Sequence, residues 1–316
     1  MTEIVLHGAR VEARRRPRLG YAMVTAAAML FAVNGTVSKV ILTQSEMSTL
    51  RLTELRATGA FLCLAVVLAL AAPERLRVAR DEVALLVVYG IVGFALVQWL
   101  YFVTIERLPI GIGLLLEFTA PVLVALWARL VFHEPVLRRV WVALALALSG
   151  LALVAEVWED VRLDAVGVVA GLVAAGALAT YFLAGEHQTA RRDALSLTCL
   201  SLGVASLFWA VVQPWWGFPF STLAETVSLD GALESSTAPV WVLCLWMVVP
   251  GTVFPFVLSL GALQHLPATR VSIVAMVEVV LGALFAWAWL GEALSAAQLL
   301  GGGVVLVGVV LAQTSR

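Results

Sequence analysis

Ten times along this chain of 316 residues the sequence runs apolar for about 20 residues before polar residues interrupt it. A run of that length crosses the hydrocarbon layer of a bilayer as a helix. The runs fall at 20–42, 48–72, 83–105, 111–132, 139–157, 165–186, 194–213, 240–262, 269–290 and 295–313. They are continuous, without the short alternating strands of a membrane barrel. Backbone polar groups in lipid need partners within their own segment, so such runs fold as helices. Composition agrees: 62% of residues are hydrophobic and 13% charged, against about 45–50% and about 25% in soluble chains. A soluble domain of this size has too much surface to hide so many apolar side chains. A soluble enzyme, a nucleic-acid binder and a disordered scaffold are excluded, and a net charge of −1 sets up no field toward nucleic acid. The expected fold class is an all-α polytopic membrane protein with ten transmembrane helices.

Basic residues set the expected orientation. The N-terminal stretch is basic but lacks a short apolar core with a small-residue cleavage site, so the run from Tyr21 reads as an uncleaved first span. A cytoplasmic N-terminus places Arg10, Arg14, Arg15, Arg16, Arg18, Arg75, Arg77, Arg80, Arg138, Arg139, Arg191, Arg192, Arg270 and Arg316 inside. Only Arg107 and Arg162 fall outside, and Lys39, Arg51, Arg56 and Arg129 lie within spans. The expected protein is therefore a multi-pass plasma-membrane protein with both termini cytoplasmic. The longest connection, 214–239, falls outside and has no Lys or Arg. Its aromatic start, 214–220, is expected at headgroup level, with a lid over substrate as the alternative.

The chain is also similar to itself. Leu108-Pro109 through His133-Glu134 aligns without a gap on Leu266-Pro267 through Gly291-Glu292, at an offset of 158 positions. Five spans per unit is an odd number, so the two units are expected upside down relative to each other. The expected division is a cytoplasmic segment 1–19, a five-helix repeat 20–157, an extracytoplasmic linker 158–164 and a second five-helix repeat 165–316. Inverted repeats are the recurring architecture of secondary transporters, in which two pseudo-symmetric halves exchange inward-open and outward-open shapes.

Several stretches resemble a known family. The repeat endings His133-Glu134-Pro135 and Leu290-Gly291-Glu292 resemble the EamA type of the drug/metabolite transporter superfamily. The stretch from Pro109 to Pro121, with Leu116-Glu117-Phe118-Thr119-Ala120 at its end, resembles that of bacterial threonine/homoserine exporters. Thr180-Tyr181-Phe182-Leu183-Ala184-Gly185 and Thr252-Val253-Phe254-Pro255-Phe256 are similar to the same group. The resemblance implies ten helices and export of small metabolites, amino acids of the threonine/homoserine kind foremost. The chain departs from the family where Glu278 is followed by Val279 rather than proline, and where Ala120 stands at the repeat-equivalent of Glu278.

Ionisable groups within a span are costly and usually face a cavity or a partner. Span one carries Asn34 and Lys39, the only lysine, with Ser38 on the same face as Asn34. In span two Arg51 and Glu54 are three apart and are expected to pair. Arg56 points elsewhere and needs a cross-helix carboxylate or a substrate carboxylate. Glu117 in span four and Glu278 in span nine are candidates for proton coupling or for holding an ammonium group. The structural alternative is an ion pair such as Lys39 with Glu117. Gln98, Tyr101 and Tyr181 add neutral polar groups at depth, by a cavity or in inter-helix hydrogen bonds. The set Asn34, Lys39, Arg56, Gln98, Tyr101, Glu117, Tyr181 and Glu278 forms the substrate-binding or coupling candidates, and an acid with a base suits a zwitterion.

Pro121, Pro250 and Pro255 are expected to interrupt spans four and eight. Cys63, Cys199 and Cys244 are scattered singly and read as buried thiols, and His133, His187 and His265 sit at span ends. There is no phosphate-binding Gly-rich loop and no metal or nucleophile motif. No cofactor is expected, and the energy comes from a gradient, protons or the substrate itself. The expected partners are a small-molecule substrate, protons and the bilayer, with no nucleic acid; a homodimer is left open. Another metabolite or a xenobiotic, aromatic or cationic, is the alternative substrate. A receptor or an intramembrane enzyme is the remote reading.

Overall fold

The computed structural model describes residues 16–105, 107–108, 110–157, 164–291 and 293–314. Arg10, Arg14, Arg15, Pro109, Arg162, Glu292 and Arg316, and most of segments 1–19 and 158–164, lie outside the described residues. The helices are α1 (Pro17–Gln44), α2 (Thr49–Ala71), α3 (80–105), α4 (110–130), α5 (Arg138–Val154), α6 (Ala165–Thr189), α7 (Ala194–Val212), α8 (Val240–Leu263), α9 (Ala268–Leu290) and α10 (Ala296–Thr314). Among the described residues nine of these are long and apolar enough to cross a membrane. The tenth, α5, has 17 residues, at the short end of what spans. The protein is a multi-pass, all-α membrane protein whose helices match the expected runs to within about three residues at most ends.

The start signals are local. Ser48 accepts from the Arg51 N–H, Asp164 from the Gly167 N–H and Asp193 from the Ser196 N–H, each satisfying a donor that the first helical turn leaves open. Pro17 at the head of α1 supplies a fixed φ where no N–H is needed. Gly291 ends α9 in the left-handed region at φ 72°, and His133, 158 positions earlier, takes the same conformation after α4 at φ 55°.

The packing repeats itself when the halves are exchanged. α5 packs most extensively on α10, and α2 on α7. α1 packs on α8 as α3 packs on α6, and α1 on α9 as α6 on α4. Glycines make two of these contacts possible. A Cβ on Gly20 would meet the Leu266 side chain at 2.7 Å, and one on Gly167 would meet that of Leu108 at 2.9 Å. The two leucines are 158 positions apart, so one close approach of small residue to helix end is built twice.

Both ends of the described chain lie together: the Tyr21 hydroxyl donates to the Gln313 carbonyl at 3.4 Å. At the opposite end the connection 214–239 folds into a short antiparallel hairpin, β1 (Thr226–Ser228) with β2 (Thr237–Pro239). The hairpin is fastened to α9, whose Trp289 Nε1 donates to the Leu229 carbonyl at 2.9 Å. The aromatics before it do not act as one surface. Trp215, Phe218 and Phe220 pack together, while Trp216 is 91% exposed.

Candidate functional site

Four helices are irregular at depth, in two matched pairs. α3 passes through a π-helical turn at Gly90–Leu96 and α8 through one at Val249–Val253. In α8 the cause is Pro250, which has no N–H for the Trp246 carbonyl. α4 consists of Ile110–Glu117 and Ala120–Leu130, and α9 of Ala268–Ala275 and Val277–Leu290. Their breaks fall at Phe118 and Met276, again 158 apart. Pro121 leaves the Glu117 carbonyl without its helical donor, so the expected interruptions of spans four and eight are both present. The break in α9 carries no proline or glycine.

Charged groups gather around these irregularities. Glu117 is the last residue before the break in α4, and Glu278 stands in the first turn after the break in α9. The two carboxyl groups are close enough to feel each other's charge. The Tyr101 hydroxyl of α3 lies within the field of both, and Arg56 of α2 within that of Glu278. All four residues are surrounded by protein yet partly accessible, and they come from helices of both halves. Among the described residues neither carboxylate has a hydrogen bond or an ion pair within 4.0 Å.

Arg56 is held from three sides. Its Nε donates to Thr252 Oγ1 at 2.8 Å, and its guanidinium carbon stands 5.9 Å from the ring centroids of both Phe31 and Phe256. Contact of that kind favours a cation over the aromatic face. The Thr252 hydroxyl donates in turn to the Met247 carbonyl at 2.8 Å, five residues back along the π-helical turn. Asn34 is 3% exposed and packs against Gly251, where a side chain would take its space; its Oδ1 has no partner among the described residues.

The other candidates stand apart to different degrees. Gln98, one turn before Tyr101, spends its Nε2 on the Phe94 carbonyl at 3.3 Å. Tyr181 belongs to an aromatic cluster with Tyr89, Phe94 and Phe256, with centroids at 5.5–6.0 Å, and reaches Arg56 only through Phe256. Lys39 is exposed near the hairpin end of α1, and the charge acting on Glu117 is that of Glu278 rather than Lys39. Arg51 and Glu54 pair at 2.8 Å as their spacing requires. All three cysteines are free thiols. Among the described residues no group of three His, Cys, Asp or Glu side chains is set to hold a metal.

The residues missing from the sequence reading of the site are Thr252, Phe31 and Phe256. Thr252 lies between Pro250 and Pro255, and two prolines five apart mark a stretch whose backbone cannot be regular. That signal points to the turn, but only the fold shows that α2 delivers an arginine to it.

Comparison with known proteins gives the same picture at the level of the whole chain. The profile of the EamA-like transporter family matches residues 18–155 and again 165–314. A threonine/homoserine exporter of Escherichia coli K12, RhtA, is 29% identical over 250 residues, covering 76% of this chain and 75% of the relative. The Salmonella typhimurium exporter of the same name is 28% identical over 236 residues, covering 74% and 72%. An uncharacterized transporter of Archaeoglobus fulgidus is 26% identical over 212 residues, covering 67% and 70%. A solved crystal structure superposes with a TM-score of 0.76 over 94% of this chain and 97% of its own, at 14% identity, a likeness of fold alone.

Proposed function

The chain belongs to the EamA-like transporter family, and from that membership we propose that it is a secondary transporter, not an enzyme, exporting small metabolites across the plasma membrane. Amino acids of the threonine/homoserine type are the leading substrates and protons the coupling ion. The observation that carries this reading is the group of charges itself, where the Arg56 guanidinium lies in the field of Glu278, Glu278 in that of Glu117, and no ion pair within 4.0 Å joins any of them among the described residues. Unpaired charges at depth are expensive, and a zwitterion offsets that cost by placing its carboxylate at Arg56 and its ammonium between Glu117 and Glu278. When the substrate leaves, a proton taken up by the carboxylates serves the same end, which is what couples export to a proton gradient.

The paired irregularities supply the means of alternating access. Helices broken at matching places in two exchanged halves can swap shapes at similar energy. The rings of Phe31 and Phe256 at the Arg56 guanidinium favour a second reading, in which the amino acid or metabolite is itself aromatic.

The test is untargeted quantification of metabolites outside cells that overexpress the protein, against the Glu117→Gln variant and an empty control. Threonine, homoserine or another amino acid should accumulate only with the unaltered protein. A Glu117→Gln protein with unchanged export at matched membrane expression would remove the acid from the mechanism. Reporter fusions at either terminus should be active only in the cytoplasm.

A further inference from the structure

Resting on the reading above, we infer that Thr252 is a positioning residue that sets the substrate specificity of the Arg56 site. By taking Arg56 Nε, it leaves the two terminal guanidinium nitrogens as the part that meets an α-carboxylate. The substrate class is then molecules carrying a carboxylate and an ammonium group on one carbon atom, rather than amines or amides.

Four observations support this. The bond from Arg56 Nε to Thr252 Oγ1 is 2.8 Å, and that oxygen is itself fixed by its 2.8 Å bond to the Met247 carbonyl. The hydroxyl therefore cannot rotate away without losing an acceptor that lies inside the protein. Phe31 and Phe256 each hold the guanidinium by a ring face at 5.9 Å and pack edge to face with each other at 5.1 Å, using none of its N–H groups. Arg56 remains partly accessible, and among the described residues nothing bonds its terminal nitrogens. A guanidinium bound in this way offers one edge, the pair of terminal nitrogens, to a planar anion. Finally, the symmetry is broken at this point. Phe94 stands 158 positions before Thr252, in the equivalent π-helical turn of α3, and packs against Tyr89, Tyr181 and Phe256. The turn forms without a hydroxyl there, so the backbone does not require one at 252.

The geometry also selects for the ammonium group. Glu278 acts electrostatically on Arg56 without touching it, since no ion pair within 4.0 Å joins them among the described residues. An α-amino acid whose carboxylate sits on the guanidinium has its ammonium one carbon away, where it can enter the space between the two charges. A molecule lacking the carboxylate leaves the guanidinium edge desolvated and unmatched, a loss that buried polar sites punish heavily.

The experiment uses the purified full chain in proteoliposomes, with the radiolabelled amino acid that the export assay identifies, and with its amide and its decarboxylated amine as competitors. Thr252→Val keeps the shape and removes the hydroxyl; Thr252→Ser keeps the hydroxyl. For Thr252→Val the expected result is a KM raised roughly tenfold with maximal turnover changed by less than about twofold. The preference for the amino acid over its amide should shrink by a similar factor, and Thr252→Ser should restore both. An unaltered protein that transports the amino acid beside a Thr252→Val variant of equal KM and equal preference overturns the inference alone. So does a Thr252→Ser variant as impaired as Thr252→Val while both remain monodisperse. An unaltered protein that carries no amino acid overturns the proposed function and this inference together.

Discussion

Gly150 in α5 and Gly308 in α10 occupy matching places in a single helix contact. Gly150 faces the Gly301 carbonyl and Val305, while Gly308 faces the Ala143 carbonyl and Ala147. Positions 143, 147 and 150 precede 301, 305 and 308 by the same 158 residues that relate the two halves of the sequence. A contact that maps onto itself when the halves are exchanged lies on the axis of that exchange. The α2–α7 pair is its counterpart, and the α4–α9 contact maps onto itself in the same way.

Close backbone approach at α5–α10 makes a stability prediction. A Cβ on Gly150 would come within 2.6 Å of the Gly301 carbonyl oxygen, and one on Gly308 within 2.8 Å of the Ala143 oxygen. The obstacle is backbone, which cannot rotate aside as a side chain can. Gly150→Ala and Gly308→Ala should each cost about 1–3 kcal/mol. The double variant should cost less than the sum, since the first substitution already parts the helices. Unfolding of the purified protein in detergent measures all three, and single variants as stable as the parent would contradict the packing.

Much of this was legible in the sequence, because in lipid the length of an apolar run leaves few alternatives. Each of the ten helices begins within about three residues of where hydropathy places it, and the local Arg51–Glu54 pair follows from helical spacing alone. The repeat was legible because one register, 158, runs through it. The site was legible only in part. Arg56, Tyr101, Glu117 and Glu278 stand out as polar residues in apolar surroundings, and they do converge. Thr252 did not stand out, because a threonine in a span can bond back to its own helix. Its value depends on a partner 196 residues away. Lys39 stood out for its rarity, yet a long amine near a helix end can reach out of the apolar layer, and the fold leaves it exposed there.

His265, in the connection between α8 and α9, gives the protein a pH-dependent stability. Burial first, and the Arg16 guanidinium second, hold its imidazole below its ordinary value of 6.5. Its Nδ1 is buried without a partner among the described residues. Above the unfolded value the ring is neutral in both states and its contribution is fully present. As pH falls through the unfolded value and on to the lower folded one, the unfolded chain binds the proton first and that stability is lost. The midpoint of thermal unfolding should therefore fall between pH 8 and pH 5.5 by more in the parent than in His265→Gln. Parallel curves for the two proteins would count against this reading.

Two arginines tie α2 to α7 at opposite ends of the molecule. At the hairpin end Arg51 of α2 donates to the carbonyls of Gln213 at 3.4 Å and Pro214 at 3.1 Å, just past α7. At the other end Arg192, just before α7, donates to the carbonyls of Arg75 at 2.8 Å and Arg77 at 2.9 Å, just past α2, and to Glu82 at 2.6 Å. The neighbouring Arg75–Asp193 pair is 3.8 Å long with both side chains about half exposed, and contributes little. The Arg192 bonds are the stronger tie, since that side chain is 13% exposed and charge-assisted bonds to carbonyls gain from shelter. Arg192→Ala should raise amide hydrogen exchange in residues 72–79 roughly tenfold or more while leaving 213–220 unchanged. Arg51→Ala should do the reverse. In the proposed alternating-access cycle the two ends loosen separately, so a variant that frees both ends at once would mean that α2 and α7 move as one rigid pair.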